Sequence, residues 1–335
     1  MGVGTRVLAL FVALVWPARV TLAFKDQDFK VCSDSAFCTR LRGVEQPAYS
    51  VQPASVKVVA NKLHATLVNT QESKEFSLEL TALDGIVRIH VEEPENPRYE
   101  VKDVLLPDLA TTALSKTAGS TAETALALGA HTVIVKHSPV SFEVDGAMVF
   151  NARSLFGIEH RREKQEEDPA GLWEETFKSH EDSKPKGPQA ITFDLTFTGF
   201  QHVFGLPERA TSLSLGPTVG EDITSEPYRL YNLDVFEYLS DSPFGLYGSI
   251  PYLTAHSATR TVAAFWLNAA EMYVDVEKRG QDTATQWIAE SGVLDLFLLL
   301  GPTPADVAAQ YARLTGPTAM PQMFSIGYHQ CRCAP

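Results

Sequence analysis

What most constrains this chain is a succession of short β-rich segments, each too brief for a helix and each closed by turn residues. Val56 to Ala60, Leu63 to Val68 and Phe76 to Leu83 lead into Asp84-Gly85, and Ile86 to Val91 follows. Asp-Gly between two apolar runs marks a hairpin, because the tight turn needs backbone angles that Asp and Gly adopt at little cost. Thr132 to Val135, Ser141 to Val144 and Met148 to Asn151 repeat the arrangement around Asp145-Gly146. In Ile191 to Phe197, Ile191, Phe193, Leu195 and Phe197 alternate with Thr192, Asp194 and Thr196. That period of two predicts a strand with one face on a core. Many short strands with regular turns predict a mainly β fold, a β-sandwich spanning residues 54–302. With 335 residues, 44% of them hydrophobic, the chain can fill such a core.

Two stretches depart from the pattern. Residues 159–186 are dense in charge, as in Arg161-Arg162-Glu163-Lys164 and Glu166-Glu167-Asp168, with few apolar residues beyond Leu172, Trp173 and Phe177. Mixed charge with little to bury predicts a long, mobile surface insertion. Near the C-terminus, Pro304 to Gly316 predicts a helix: Thr303 can cap it, Pro304 suits its first turn, and Gly316-Pro317 stops it. Val307, Tyr311 and Leu314 fall on one face of that helix.

The N-terminus reads as a targeting segment. Arg6 supplies positive charge, Val7 to Trp16 is apolar almost throughout, and Thr21-Leu22-Ala23 offers a small-residue cleavage site. Residues 1–23 are therefore expected to be a secretory signal peptide, and the remainder to fold in an oxidising lumen. Cys32 and Cys38 can close a short loop there, tying down the segment 24–53. Cys331 and Cys333 lack the second ligand pair that structural zinc requires, so exposed thiols are the better reading. The chain ends without a retention tetrapeptide and carries no Asn-x-Ser/Thr acceptor.

Charge and motif exclude several functions. With 28 basic and 41 acidic side chains the net charge is −13, the wrong sign for a phosphate-backbone binder. Beyond the leader, no apolar run reaches the roughly 18–20 residues that span a bilayer. Phosphate-cradling glycine loops, a nucleophile elbow and a His-Glu-x-x-His ladder are all absent, so no metal or other cofactor is expected. His160 and His180 fall in the charged insertion and read as solvated. The nearest carboxylate pairs, Glu174-Glu175 and Asp275/Glu277, read as surface charge rather than as an acid/base couple. The informative stretch is Gln201 to Glu271, where aromatic and polar residues interleave at loop-like spacing. Aromatic faces beside Asn and Asp suit a sugar, which has apolar C–H faces and hydroxyls that need partners. Taken alone, Trp266 reads as core and Asn232 with Asp234 as a turn pair.

The order of motifs resembles glycoside hydrolase family 31, in its branch of two-subunit α-glucosidases of the endoplasmic reticulum. The likeness rests on Phe29-Lys30-Val31-Cys32 with Phe37-Cys38, and on Trp173 to His180 with Asp182 to Pro185. It continues through Pro227 to Phe236, Phe265 to Glu271, Gly292 to Gly301 and Phe324 to Gln330, covering about Phe24 to Arg332. The resemblance implies a galactose-mutarotase-like sandwich preceding a (β/α)₈ barrel, with one sandwich loop reaching the active-site mouth. It places Asp234 as a sugar contact, with Tyr231 and Asn232 shaping its loop. It further implies removal of α-1,3-linked glucose from N-linked glycans in the reticulum lumen, and a β subunit as partner.

In the family, Gly327 to Arg332 leads on into Trp-Asn-Tyr and the rest of the barrel, whereas here Cys333-Ala334-Pro335 follows. Both catalytic carboxylates of the family lie on that barrel, so none is assigned in this sequence. Residues 303–335 are thus expected to be a linker helix and the first strand of an absent barrel. That points to a truncated isoform, splice product or fragment, inactive by itself. Its alternative roles are a module that binds carbohydrate or the β subunit, or an unstable fragment whose last strand lacks a neighbour.

Overall fold

The computed structural model of the protein describes residues 26–332 except 221, 236, 237, 239 and 243. The leader read over residues 1–23 lies outside them, as do Phe24 and Cys333. Two antiparallel sheets face one another. The first runs, in order of pairing, Tyr49–Val51, Lys62–Asn69, Lys74–Leu83, Ile86–Glu92, Leu294–Leu299, Thr261–Trp266, Tyr252–His256 and His202–Gly205, with Lys57–Val59 beside Lys62–Asn69. The second runs Tyr228–Leu230, Met272–Arg279, Asp282–Ala289, Ile191–Phe197, Met148–Phe150, Val140–Val144, His131–His137, Glu123–Leu128 and Leu114–Gly119, and Gly157–Ile158 also pairs with Ile191–Phe197. A small hairpin, Glu174–Phe177 with His180–Ser183, stands apart.

The expected sandwich is present, and its core is aromatic. Phe193 of the second sheet stacks on Phe150 and Trp287 at 5.4 and 6.0 Å, and meets Trp266 of the first sheet edge-on at 4.9 Å. Trp266 is fully buried and donates its indole N–H to the Val293 carbonyl at 2.9 Å. Its burial and its filled hydrogen bond place it in the core and away from any ligand.

Each sheet has a second, outer face, and one part of the chain covers each. Over the first sheet lies the helix Pro304–Thr315, burying Val307 and Leu314 against Phe265 and Phe297. Thr303 caps it by accepting from the Asp306 amide at 3.2 Å, as its sequence predicts. Over the second sheet lies the N-terminal segment. Cys32 and Cys38 are bridged, and Phe37 and Leu41 pack on Tyr273 and Ile288. Arg42 then grips Asp275 with two hydrogen bonds of 2.8 and 2.9 Å.

The structure differs from the expectations in three places. Ile191–Phe197 is buried on both faces, not one: Thr192 and Asp194 are fully buried beneath the N-terminal segment and the residues that follow Phe150. Burial pushes the Asp194 carboxyl up, although it accepts backbone N–H groups from Arg153 and Leu155 at 3.0 and 3.1 Å. The charged insertion contains the Glu174–Phe177/His180–Ser183 hairpin, and its Trp173 donates to Asp168 at 2.8 Å. Local pairing of this kind leaves no trace in hydrophobic periodicity. Phe324 to Gln330 form no strand: Met323–Ile326 is a 3₁₀ turn, and Phe324 and Tyr328 are exposed. A strand needs a neighbour for its N–H and C=O groups, and none lies beside this segment among the described residues.

Candidate functional site

Loops following His202–Gly205 and Tyr228–Leu230 bring together some of the residues singled out between Gln201 and Glu271, while Phe265 and Trp266 stay in the core. The strand Tyr228–Leu230 closes the edge of the second sheet, and the chain then leaves it as Tyr231-Asn232-Leu233-Asp234. Tyr231, Asn232 and Asp234 are exposed and add little packing to this loop. Backbone pairing holds it instead. The Leu233 amide donates to the Leu246 carbonyl at 2.7 Å, and the Leu246 amide donates to the Glu208 carbonyl at 2.9 Å. The Glu208 carboxylate in turn accepts the Gly248 amide at 2.9 Å. Val235 anchors the far side, only 1% exposed.

Among the described residues, Asp234 meets one side chain. Tyr247 donates its hydroxyl to Asp234 Oδ1 at 2.6 Å, and that acceptor raises the Tyr247 pKa above the ordinary phenol range. Oδ2 has no partner among the described residues. Asn232 lies exposed beside it. Tyr231 turns the other way, its ring 4.5 Å from the Arg229 guanidinium.

Two arginines, neither distinguishable by spacing, set where the loop starts. Arg209 donates to the Leu206 and Arg229 carbonyls at 2.7 and 2.6 Å, with its guanidinium 5.1 Å from the Tyr228 ring. Burial pulls its pKa down to about 10. Arg229 donates to Glu271 at 2.8 Å and to the Lys30 carbonyl at 3.3 Å, which couples the loop to the N-terminal segment. Phe29 of that segment also packs on Phe244 at 5.1 Å, beyond the turn that carries Asp234. Gly205 begins this assembly at φ +118, where an added Cβ would run into the Tyr252 carbonyl.

Of the acidic pairs that stand close in sequence, Glu174 is exposed and the other three carboxylates are committed to cations. Glu175 pairs with Lys30 at 2.6 Å and Lys184 at 3.3 Å, Asp275 with Arg42, and Glu277 with Arg153 at 2.9 Å and Arg279 at 2.8 Å. His180 is exposed, and His160 lies 3.4 Å from Glu72. Cys331 is an exposed thiol. No group of three or more metal-ligating side chains occurs among the described residues. The site is thus a loop anchored by backbone hydrogen bonds that presents one carboxylate and aromatic rings, an arrangement suited to holding a polyhydroxylated ligand.

A sequence profile described as the glycosyl hydrolase 31 N-terminal galactose mutarotase-like domain matches residues 77–275. A rice (Oryza sativa subsp. japonica) protein named probable glucan 1,3-alpha-glucosidase is 42% identical over 344 residues, covering 92% of this chain and 37% of that protein. The crystal structure of an ER glucosidase II heterodimeric complex of catalytic subunit and regulatory-subunit binding domain matches with TM-score 0.85 and 35% identity, over 91% of this chain and 39% of that one. A glucosidase II alpha subunit in its Glc1Man2-bound form matches with TM-score 0.84, also at 35% identity and over the same shares. The chain therefore spans about two fifths of the length of the curated and solved relatives it matches.

Proposed function

Because the chain belongs to glycosyl hydrolase family 31 and carries that family's galactose mutarotase-like sandwich, we propose that it supplies the substrate-contacting loop of an α-glucosidase. The substrate is α-1,3-linked glucose on N-linked glycans. The observation that carries the reading is Asp234: a carboxylate held by Tyr247 at 2.6 Å, with no partner on its second oxygen among the described residues, on a loop tied down by backbone bonds. Such a group accepts hydrogen bonds from a glucose hydroxyl without reorganising, which is what a specificity contact requires. The bond-breaking chemistry lies with other residues. A retaining glycosidase needs two carboxyls about 5–5.5 Å apart with the sugar between them, whereas Glu175, Asp275 and Glu277 are all neutralised in ion pairs. The reading extends to an endoplasmic-reticulum lumen, supported by the leader-like residues 1–23, and to a regulatory β subunit as partner, supported by likeness to the heterodimer.

Titration of the 335-residue chain with a trisaccharide of one glucose and two mannoses tests both parts. We expect binding that weakens roughly 10- to 100-fold in Asp234→Ala, the loss of a charge-assisted hydrogen bond worth about 1.5–3 kcal/mol, with no release of glucose. Equal binding by the variant overturns the assignment of Asp234. Turnover of the sugar by the chain alone overturns the assignment of chemistry to other residues.

A further inference from the structure

The strand that launches the Asp234 loop, Tyr228–Leu230, is short and pairs along one side with Met272–Arg279. Tyr228 and Leu230 turn into the core between the sheets. Arg229 points to the outer face and is buried all the same, at 6% exposure. A buried charge stabilises a fold no better than a well-packed apolar residue does, so packing alone does not account for an arginine here. Its partners form a closed set. The guanidinium donates to Glu271 at 2.8 Å and to the Lys30 carbonyl at 3.3 Å. Glu271 also accepts the Tyr273 hydroxyl at 3.2 Å, and that hydroxyl lies 2.8 Å from Ser35 Oγ. Tyr273 stands directly across from Arg229 in the strand register and packs with Phe37 and both bridged cysteines.

We propose that Arg229 is a positioning residue, which ties the Asp234 loop to the disulfide-pinned N-terminal segment and so sets the affinity for sugar. The inference rests on the reading of Asp234 given above and names what keeps that residue in place.

The geometry gives Arg229 this role in three ways. Tyr231, the first residue of the loop, lies against the guanidinium at 4.5 Å and remains 47% exposed. That contact covers little of the ring, and what it fixes is the direction in which the chain leaves the strand. A planar fork can serve Glu271 and the Lys30 carbonyl together while it offers its flat face to a ring, which an ammonium cannot do. The segment it grips is itself secured from behind, because the Lys30 ammonium is 2.6 Å from Glu175 of the hairpin. Asp234 comes three residues after Tyr231. A hydrogen bond weakens steeply as its distance and angle depart from the optimum, so a small shift of the loop is felt in what Asp234 can hold.

The test uses two mild variants of the full chain. Arg229→Lys keeps a cation beside Glu271 and loses the fork, and Tyr273→Phe keeps the ring and deletes the hydroxyl that reaches Ser35. A thermal melt establishes that each is folded. Hydrogen exchange is then read, without sugar, at the Leu233 and Leu246 amides, which anchor the loop. Ile191–Phe197 at the centre of the sheet serves as the control. We expect exchange at the two loop amides to rise at least roughly 5-fold in both variants, with the control unchanged. Titration with the same glucose–mannose–mannose trisaccharide should show affinity lowered roughly 5-fold by either variant, and no further loss when either is added to Asp234→Ala. If the loop amides loosen while Asp234→Ala leaves affinity unchanged, the tie through Arg229 stands and the reading of Asp234 falls. If Asp234→Ala weakens binding while the loop amides of both variants exchange as in the parent, the tie is overturned and the reading of Asp234 stands. Exchange that rises equally at Ile191–Phe197 overturns the positioning role, since Arg229 then supports the fold at large. Losses that add fully to that of Asp234→Ala overturn it as well, because the two residues then act on the sugar separately.

Discussion

Arg209 shows how much of the candidate site depends on one side chain that no motif announces. Its half-buried guanidinium bonds the carbonyls of Leu206 and Arg229, and so joins the end of the strand His202–Gly205 to the strand that launches the Asp234 loop. Arg209→Ala should lower stability by roughly 3 kcal/mol, the loss of two hydrogen bonds to a charged donor that leaves their acceptors desolvated. Arg209→Lys should recover less than half, because one ammonium cannot span two carbonyls as a planar fork does. Urea unfolding of the two variants measures this; equal stability of Arg209→Lys and the parent would show that charge alone matters. Asp234 itself is legible from its neighbours, through the likeness of Pro227 to Phe236. Its partner Tyr247 is not, because a hydroxyl arriving from a separate loop has no periodicity to betray it.

Among the elements, the hairpin of the charged insertion is the one whose behaviour the ion pairs determine. Glu175 is pushed up by burial, but Lys30, Lys184 and the Ala36 amide outweigh that and hold it below its ordinary value of 4.5. A carboxyl depressed on folding contributes stability above its unfolded pKa and loses it as pH falls through the folded one. Docking of the hairpin onto the N-terminal segment should therefore be complete above about pH 4.5 and weaken progressively below it. Amide chemical shifts of residues 174–183 followed from pH 6 to about 3 report this. Glu175→Gln should show the weakened docking already at neutral pH, and an unchanged profile would remove Glu175 as the anchor. Composition alone makes this stretch a mobile insertion, since its stabilising contacts are long-range ion pairs. Composition is equally silent on Leu114–Gly119 and Glu123–Leu128, in which only Leu114, Thr124, Leu126 and Leu128 are buried among small and polar residues. Where side chains alternate strongly, as in Lys74–Leu83 and Ile86–Glu92, the strands are plain in advance.

At the scale of the molecule, the sandwich is readable because turns and alternation fix a β architecture. What covers its outer faces is not, because Phe37 and Val307 reveal their partners only once the sheets exist. The aromatic column through the core has a spectroscopic consequence. Trp266 and Trp287 stand 6.5 Å apart with their planes at 75°, one indole contributed by each sheet. Transition dipoles that close and that inclined couple strongly, giving a split circular-dichroism band in the far ultraviolet. The band's intensity follows the spacing between the sheets rather than the amount of β-structure. Its disappearance on heating would mark the moment the two layers part, while Trp173, beside the hairpin, would signal the loosening of the insertion separately in its fluorescence.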